Sequence, residues 1–386
     1  MQTFTRRQVL KTITTAVVGN TIMKGSAFGQ SQKSRNQQKK IPIIHIADLY
    51  HPPQDPDDHI DLATIMALPE FDLQGVVLDI TQKFLDPAPK GFDIVRDPGY
   101  VPVSQLSYLT GKTIPVAMGP KQPLRNPKDD ASNASLREQA GINFVLDTLE
   151  QSDDPVVITL GGSARVITAA YNRNPELVHL KTKAVVLNAG ATGGSKKEWN
   201  VMLDTAAFVG LWRSGLPIHW YPCATDKSAF DRSSEYGTYW KTTHADLFKN
   251  IPVGLRDWFC FGFSGNLSGE IIRSMNEQGA GSVWQTILEG NRNMWSTISL
   301  VMTAGRVLAK TPEGWRFVPK DQVNAQWEQW DTQLNPIEAN VDADGRVAWQ
   351  NTQGKNRAWI FKRKAGPGYG TAMTEALNHL LCSIKM

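Results

Sequence analysis

Residues 43–63 read IIHIADLYHPPQDPDDHIDLA. An apolar run at 43–46 has the character of a buried strand. It leads into a loop holding Asp48, Asp55, Asp57 and Asp58, and a helix-like apolar run follows at 60–68. Carboxylates this close together repel one another. A folded chain keeps such a group where a cation or polar ligand offsets the repulsion, or where the loop is fully solvated. Loops at the C-terminal ends of strands are where open α/β sheets bind ligands. The stretch therefore reads as an oxygen-lined metal site. The alternative is a solvated acidic turn in which Asp57 or Asp58 caps the helix.

Working outward, the pattern of strand, loop and helix repeats. Residues 42–47, 73–78, 111–118, 155–160, 182–187 and 216–221 read as strands, the third preceded by a turn. Residues 60–68, 101–109, 141–151, 164–171 and 204–214 read as helices between them. This alternation predicts an α/β fold: a mainly parallel, Rossmann-like open sheet with helices on both faces and the active site at the C-terminal strand edge. Gly-rich strand ends at 161–162 and 190–194 fit loops gathered on that edge. The second half is less regular. Residues 294–308 read as a helix, 345–350 and 358–362 as a hairpin, and 369–384 as a closing amphipathic helix. Turn signals through 311–363 mark a β-rich insertion within a single domain spanning 41–386.

The composition is that of an ordinary globular chain: 386 residues, 41% hydrophobic and 20% charged, with a formal net charge of +4. Arg6, Arg7, Lys11, Lys24, Lys33, Arg35, Lys39 and Lys40 face no acidic residue before residue 41, so the remainder is near neutral or slightly acidic. Nothing marks a nucleic-acid footprint. Cys223, Cys260 and Cys382 are far apart, and no CxxC pair suggests zinc. Residues 1–29 read as an export signal: paired Arg6 and Arg7 in TRRQVLK, a weakly apolar stretch at 13–23, and Ala27-Phe28-Gly29 at the cleavage spacing. The segment resembles a twin-arginine signal, which implies an exported, periplasmic or extracellular protein. Its apolar run is too short to span a membrane permanently, and residues 30–40 read as a disordered linker.

Four separated segments together resemble the nucleoside hydrolase-like family, which cleaves the N-glycosidic bond of ribonucleosides with a bound calcium ion. The first is Asp48 followed by Asp55-Pro56-Asp57-Asp58 and an apolar helix, similar to that family's opening D-x-D-x-x-x-D-D. The second is VVITLGGSARVITAAYNRNPEL at 156–177. The third is Glu198-Trp199-Asn200 followed by Asp204, and the fourth SGLPIHWYP at 214–222. The family's His-Asp pair near a late helix is replaced here by Trp295-Ser296.

The resemblance implies Ca2+ held by Asp48, Asp58, the backbone carbonyl of Leu160 and, in place of the late carboxylate, the hydroxyl of Ser296. It implies an attacking water held by Asp48, with Asp55 the nearest substitute for the motif's middle acid. It assigns substrate contacts to Asp57, Glu198 and Asn200 on sugar hydroxyls, with Gln82 and Trp295 as further candidates. No residue stands out as the acid for the leaving group. The expectation is an exported calcium-dependent glycosidase with a nucleoside or glycoside substrate and no nucleic-acid partner, and a homo-oligomer remains open. The alternatives are a sugar- or nucleoside-binding protein without turnover on the same fold, and a protein that uses calcium only for stability.

Overall fold

Strand β1 (Ile41–Ala47) sends successive side chains to opposite faces. Ile43 and Ala47 enter one apolar core, and Ile44 and Ile46 enter the other. A strand buried on both sides needs cover on both faces of its sheet, which is the expected α/β arrangement. The protein is represented by a computed structural model that describes residues 39–85, 96–194, 197–277, 281–354 and 357–386. The export signal, and the linker up to residue 38, lie outside the described residues.

The main sheet collects β1, β2 (Phe71–Leu78), β3 (Val116–Met118), β4 (Val156–Leu160), β5 (Thr182–Leu187) and β6 (Ile218–Trp220). Two short strands, β7 (Trp240–Thr243) and β8 (Asn291–Met294), pair apart from it. So do β9 (Arg306–Thr311), β10 (Gly314–Pro319) and β11 (Glu328–Gln329). The chain then returns to the main sheet as β12 (Thr332–Val341), β13 (Val347–Asn351) and β14 (Ala358–Arg363). The nine-stranded order is β13-β12-β14-β6-β5-β4-β1-β2-β3, parallel except where β12 pairs antiparallel with β13 and β14. From β1 the chain builds one way through β2 and β3, then starts again on the other side at β4. The carboxyl ends of β1 and β4 thus flank the topological switch point, where open sheets of this kind leave a crevice.

Two sequence expectations are corrected in the second half. The helix expected over 294–308 covers only Thr297–Thr303. Gly305 at φ +76° turns the chain out of the helix, and the apolar residues beyond it enter β9, paired to β10 and β11. The apolar spacing of Val301, Leu308 and their neighbours suits either period, and the glycine decides between them. The expected hairpin of 345–350 with 358–362 does not form either. β13 and β14 lie on opposite sides of β12, which is long enough to pair with both, and Ile337 is registered to both. Among the described residues no helix is long and apolar enough to cross a membrane.

A buried pair ties the strand-end loops together. Arg165, at the start of the helix Arg165–Arg173, is fully buried. Its Nε donates to Asp204 at 2.9 Å and Nη1 donates to the carbonyls of Ile80 (2.5 Å) and Pro120 (2.8 Å). Its Nη2 donates to the Leu203 carbonyl at 3.1 Å. One guanidinium therefore joins the loops after β2, β3, β4 and β5.

Two buried histidines, His45 and His59, and the half-buried His219 favour the unfolded chain as pH falls. His45 in β1 bonds Thr159 at 2.8 Å through Nδ1 and has no partner at Nε2. Burial lowers its pKa to about 4, that of His59 to about 3 and that of His219 to about 4. A depressed folded pKa means the unfolded chain takes up the proton first. Stability is complete above about pH 6.5 and is lost as pH falls toward 4, by about 3 kcal/mol for His45 alone. Asp48 and Asp61, with pKa values pushed up to about 7 by burial, act in the opposite direction over the same window. Replacing His45 by valine is therefore expected to raise the melting temperature relative to the wild type more at about pH 4.5 than at about pH 7. An equal difference at both pH values would show that His45 does not take up a proton on unfolding.

Candidate active site

Asp48 follows β1 and is 7% exposed. The helix α1 (Asp57–Ala67) begins with Asp57 and Asp58 in its first turn, earlier than its apolar pattern alone indicates. Its N-cap is Pro56, with no side-chain capping bond, so neither aspartate serves as the cap. Both instead stand at the positive end of the helix dipole, which favours carboxylates there. The carboxyls of Asp58 and Asp48 stand within hydrogen-bonding reach of each other. Burial, and then the neighbouring Asp79, push the Asp48 pKa up to about 7. Burial, and then Asp55 for Asp57 and Asp48 for Asp58, hold these two acids well above the usual carboxylate range.

The paired glycines after β4 are required by this crowding. A Cβ on Gly161 would lie 2.9 Å from Asp58 Oδ1, and one on Gly162 would lie 2.7 Å from Asp79 Oδ2 and 3.3 Å from Asp48 Oδ1. Any side chain there would collide with a carboxylate.

These groups border a cavity of about 320 Å3. Asp48, Asp55, Asp57, Asp58, Glu198, Asn200, Trp295 and Ser296, all singled out from sequence, line it. Two others sit differently. Gln82 opens the short helix Gln82–Leu85 and is not part of this lining. Leu160 ends β4, and its carbonyl accepts from Asn188 Nδ2 at 3.0 Å.

Several lining groups already have partners. Asp55 is paired with Arg292 Nη1 at 2.7 Å. Glu198 caps the helix Trp199–Leu203: its oxygens accept the amides of Asn200 (3.0 and 3.1 Å), Gly190 (2.8 Å) and Val201 (3.3 Å), while burial still raises its pKa. Asn200 Nδ2 donates to the Asn188 carbonyl at 2.9 Å. Ser296 Oγ donates to Asp61, one turn into α1. Burial pushes the Asp61 pKa up to about 7, and its Oδ1 has no partner.

Sequence reading missed two residues here. Asn188, after β5, links Leu160 to Asn200, lines the cavity and keeps Oδ1 unpartnered. Asp79, after β2, accepts the Ser163 amide at 2.6 Å and hydroxyl at 2.9 Å, and so holds the loop after β4. A polar residue just past an apolar strand was the available signal for both, as it was for Asp48.

No family model matches the chain. It is 27% identical over 198 residues to a pyrimidine-specific ribonucleoside hydrolase RihA of Enterobacter, and 26% identical over 198 residues to one of Escherichia coli. Each match takes in 46% of this chain and 58% of the relative, so the chain spans little more than half the length of the curated relatives it matches. Among solved structures, a purine-preferring ribonucleoside hydrolase of Gardnerella vaginalis superposes with TM-score 0.51 at 14% identity, over 88% of this chain and 99% of its own. A plant nucleoside hydrolase superposes with TM-score 0.51 at 12% identity, over 89% and 99%. The fold is that of the nucleoside hydrolases.

Within this nucleoside hydrolase fold, the acids at the switch point suit a hard cation in part. Two buried carboxyls, Asp48 and Asp58, repel each other, and the positive charge of a cation would relieve that repulsion. The Leu160 carbonyl accepts one hydrogen bond and retains a second lone pair. Among the described residues no three His, Cys, Asp or Glu side chains stand together at metal-ligand spacing.

Proposed function

We propose that the protein is an exported, calcium-dependent hydrolase that breaks the N-glycosidic bond of nucleosides or a related glycoside. The observation that carries the reading is the cavity at the switch point, lined by Asp48, Asp57 and Asp58 together with Glu198 and Asn200. The sequence similarity to ribonucleoside hydrolases and the shared fold support it. Export rests on Arg6, Arg7 and the short apolar run after them.

Cleavage of such a bond passes through an oxocarbenium-like transition state. Asp48, buried at the end of β1, takes the proton of the attacking water. Asp58 stands beside it in the first turn of α1. Asp57, with Glu198 and Asn200 across the cavity, holds the sugar hydroxyls. Asn188 adds its free Oδ1 to that group. Asp48, Asp58 and the Leu160 carbonyl, with Ser296 beside them, would hold calcium, which would supply a positive charge to orient the water and lower its pKa. Asp55, held by Arg292, shapes the acidic loop.

A second reading, binding without turnover, is favoured by one observation: Ser296 is turned to Asp61 and Glu198 to backbone amides, so both are engaged inside the protein. A release assay separates the two. Mature protein is incubated with a nucleoside panel, with calcium and with chelator. Calcium-dependent appearance of reducing sugar is expected. Nucleoside binding with no sugar released would establish the second reading instead.

A further inference from the structure

Expelling a neutral base from a sugar leaves negative charge on a ring nitrogen, so a side-chain acid must deliver a proton within about 2.6–3.2 Å. The aromatic side of the cavity offers no such acid among the described residues. Trp295 Nε1 donates to the Ala229 carbonyl at 2.9 Å, and Ser296 Oγ donates to Asp61. Burial and the surrounding acids push the Cys223 thiol far up, so it keeps its proton, and Gln54 carries only a neutral amide. None of the histidines lines the cavity: His51 bonds the Asn266 carbonyl and stacks on Phe261, and His59 lies against Trp258. The acids of the β1–α1 loop are committed, on the reading above, to water and sugar, or in the case of Asp55 to Arg292.

The same wall is built for positive charge. Phe230, 58% exposed, meets Trp295 at 5.9 Å between ring centres, and Tyr239 backs Trp295 at 5.4 Å. Of the acids that line the cavity, Asp55 is paired with Arg292, while Asp57 and Glu198 have no salt-bridge partner among the described residues, and no lysine or arginine lines the cavity there. Aromatic faces and carboxylates both attract a cation.

We propose that this half of the cavity takes a positively charged aromatic base, so that the substrate is a ribosyl pyridinium or an N-alkylated purine riboside. The inference rests on the hydrolase reading for its chemistry. As the C1′–N bond breaks, its electron pair returns to the ring nitrogen and cancels the charge already there. Water oxygen bonds to C1′, and its proton passes to Asp48 and then to solvent. The products are a neutral base, ribose and one proton, and no acid is needed for the leaving group.

The test has two arms. In the first, kcat/KM is measured for inosine, 7-methylinosine and 3-carbamoylpyridinium riboside, each divided by its own uncatalysed rate, since charged ribosides also break faster in water. The charged substrates are expected to show rate enhancements about 100-fold above inosine, the scale of a missing general acid. In the second arm, the unreactive 1-methyl-3-carbamoylpyridinium ion and neutral 3-carbamoylpyridine are compared by quenching of tryptophan fluorescence. The cation is expected to bind about tenfold tighter, with the preference lost in Phe230→Ala, an exposed position whose change leaves the fold intact. Equal enhancement of inosine and 7-methylinosine would overturn this inference and leave the hydrolase reading standing. No release from any substrate would overturn the hydrolase reading, and the binding arm alone would then decide between a cation-selective and an unselective pocket.

Discussion

Asp48→Asn is expected to abolish sugar release while leaving the protein at least as stable as before. The loss follows from its proposed place as the acceptor of the water proton, a role worth about 10²–10⁴-fold. The stability follows from the sign of its pKa shift. The Asp48 pKa is pushed up to about 7 by burial and then by Asp79. A raised folded pKa means that ionisation favours the unfolded chain, so the wild type loses stability as pH rises from about 4 through 7. Asparagine cannot ionise. In chelator at about pH 8 the variant should therefore melt above the wild type, although it turns over no substrate. Inactivity combined with a lowered melting temperature would mean that Asp48 acts mainly as a structural residue. Full activity in the variant would remove Asp48 from the mechanism.

The second large effect concerns Arg165. Removing one partner of a buried ion pair typically costs about 3–5 kcal/mol, because the other charge is left without compensation. Arg165→Met is expected to fall in that range in urea unfolding, since Asp204 would keep only its backbone donors at Leu124 and Ala207. The double variant Arg165→Met/Asp204→Leu should lose less than the sum of the two single changes. Additive losses would show that the guanidinium acts through the carbonyls of Ile80, Pro120 and Leu203 rather than through Asp204.

How far the sequence was legible depends on the range of the forces involved. The strands around the switch point announce themselves by short apolar runs, and β1 and β4 fall within a residue or so of where those runs place them. Acids clustered in one loop, such as Asp48, Asp57 and Asp58, converge because the strand and helix that carry them are adjacent in the chain. Glu198, Asn200 and Trp295 reach the same cavity from distant segments, and only the family resemblance suggested them. Asn188 and Asp79 were hidden because a single polar residue after a strand is locally indistinguishable from a turn. The partners that tie up Asp55, Glu198 and Ser296 were hidden because hydrogen bonds between distant segments leave no local pattern. The helix expected through Leu308 ends early because its apolar spacing fits two periods, and a single glycine, Gly305, turns the chain out of it.

The route by which β14 reaches the sheet has a consequence for synthesis. It pairs with β6, yet everything from Tyr221 to Arg357 must be made before it exists. A chain growing from its N-terminus can assemble β1 to β6 early, but until residue 358 emerges β6 remains an open strand edge beside Trp220. Long-range parallel pairing forms slowly, and open apolar edges invite association with other chains. Completing the polypeptide is therefore itself part of protecting the fold, and a ribosome stall between β6 and β14 would release a species prone to aggregate although the acids of the β1–α1 loop, Glu198 and Asn200 are already present.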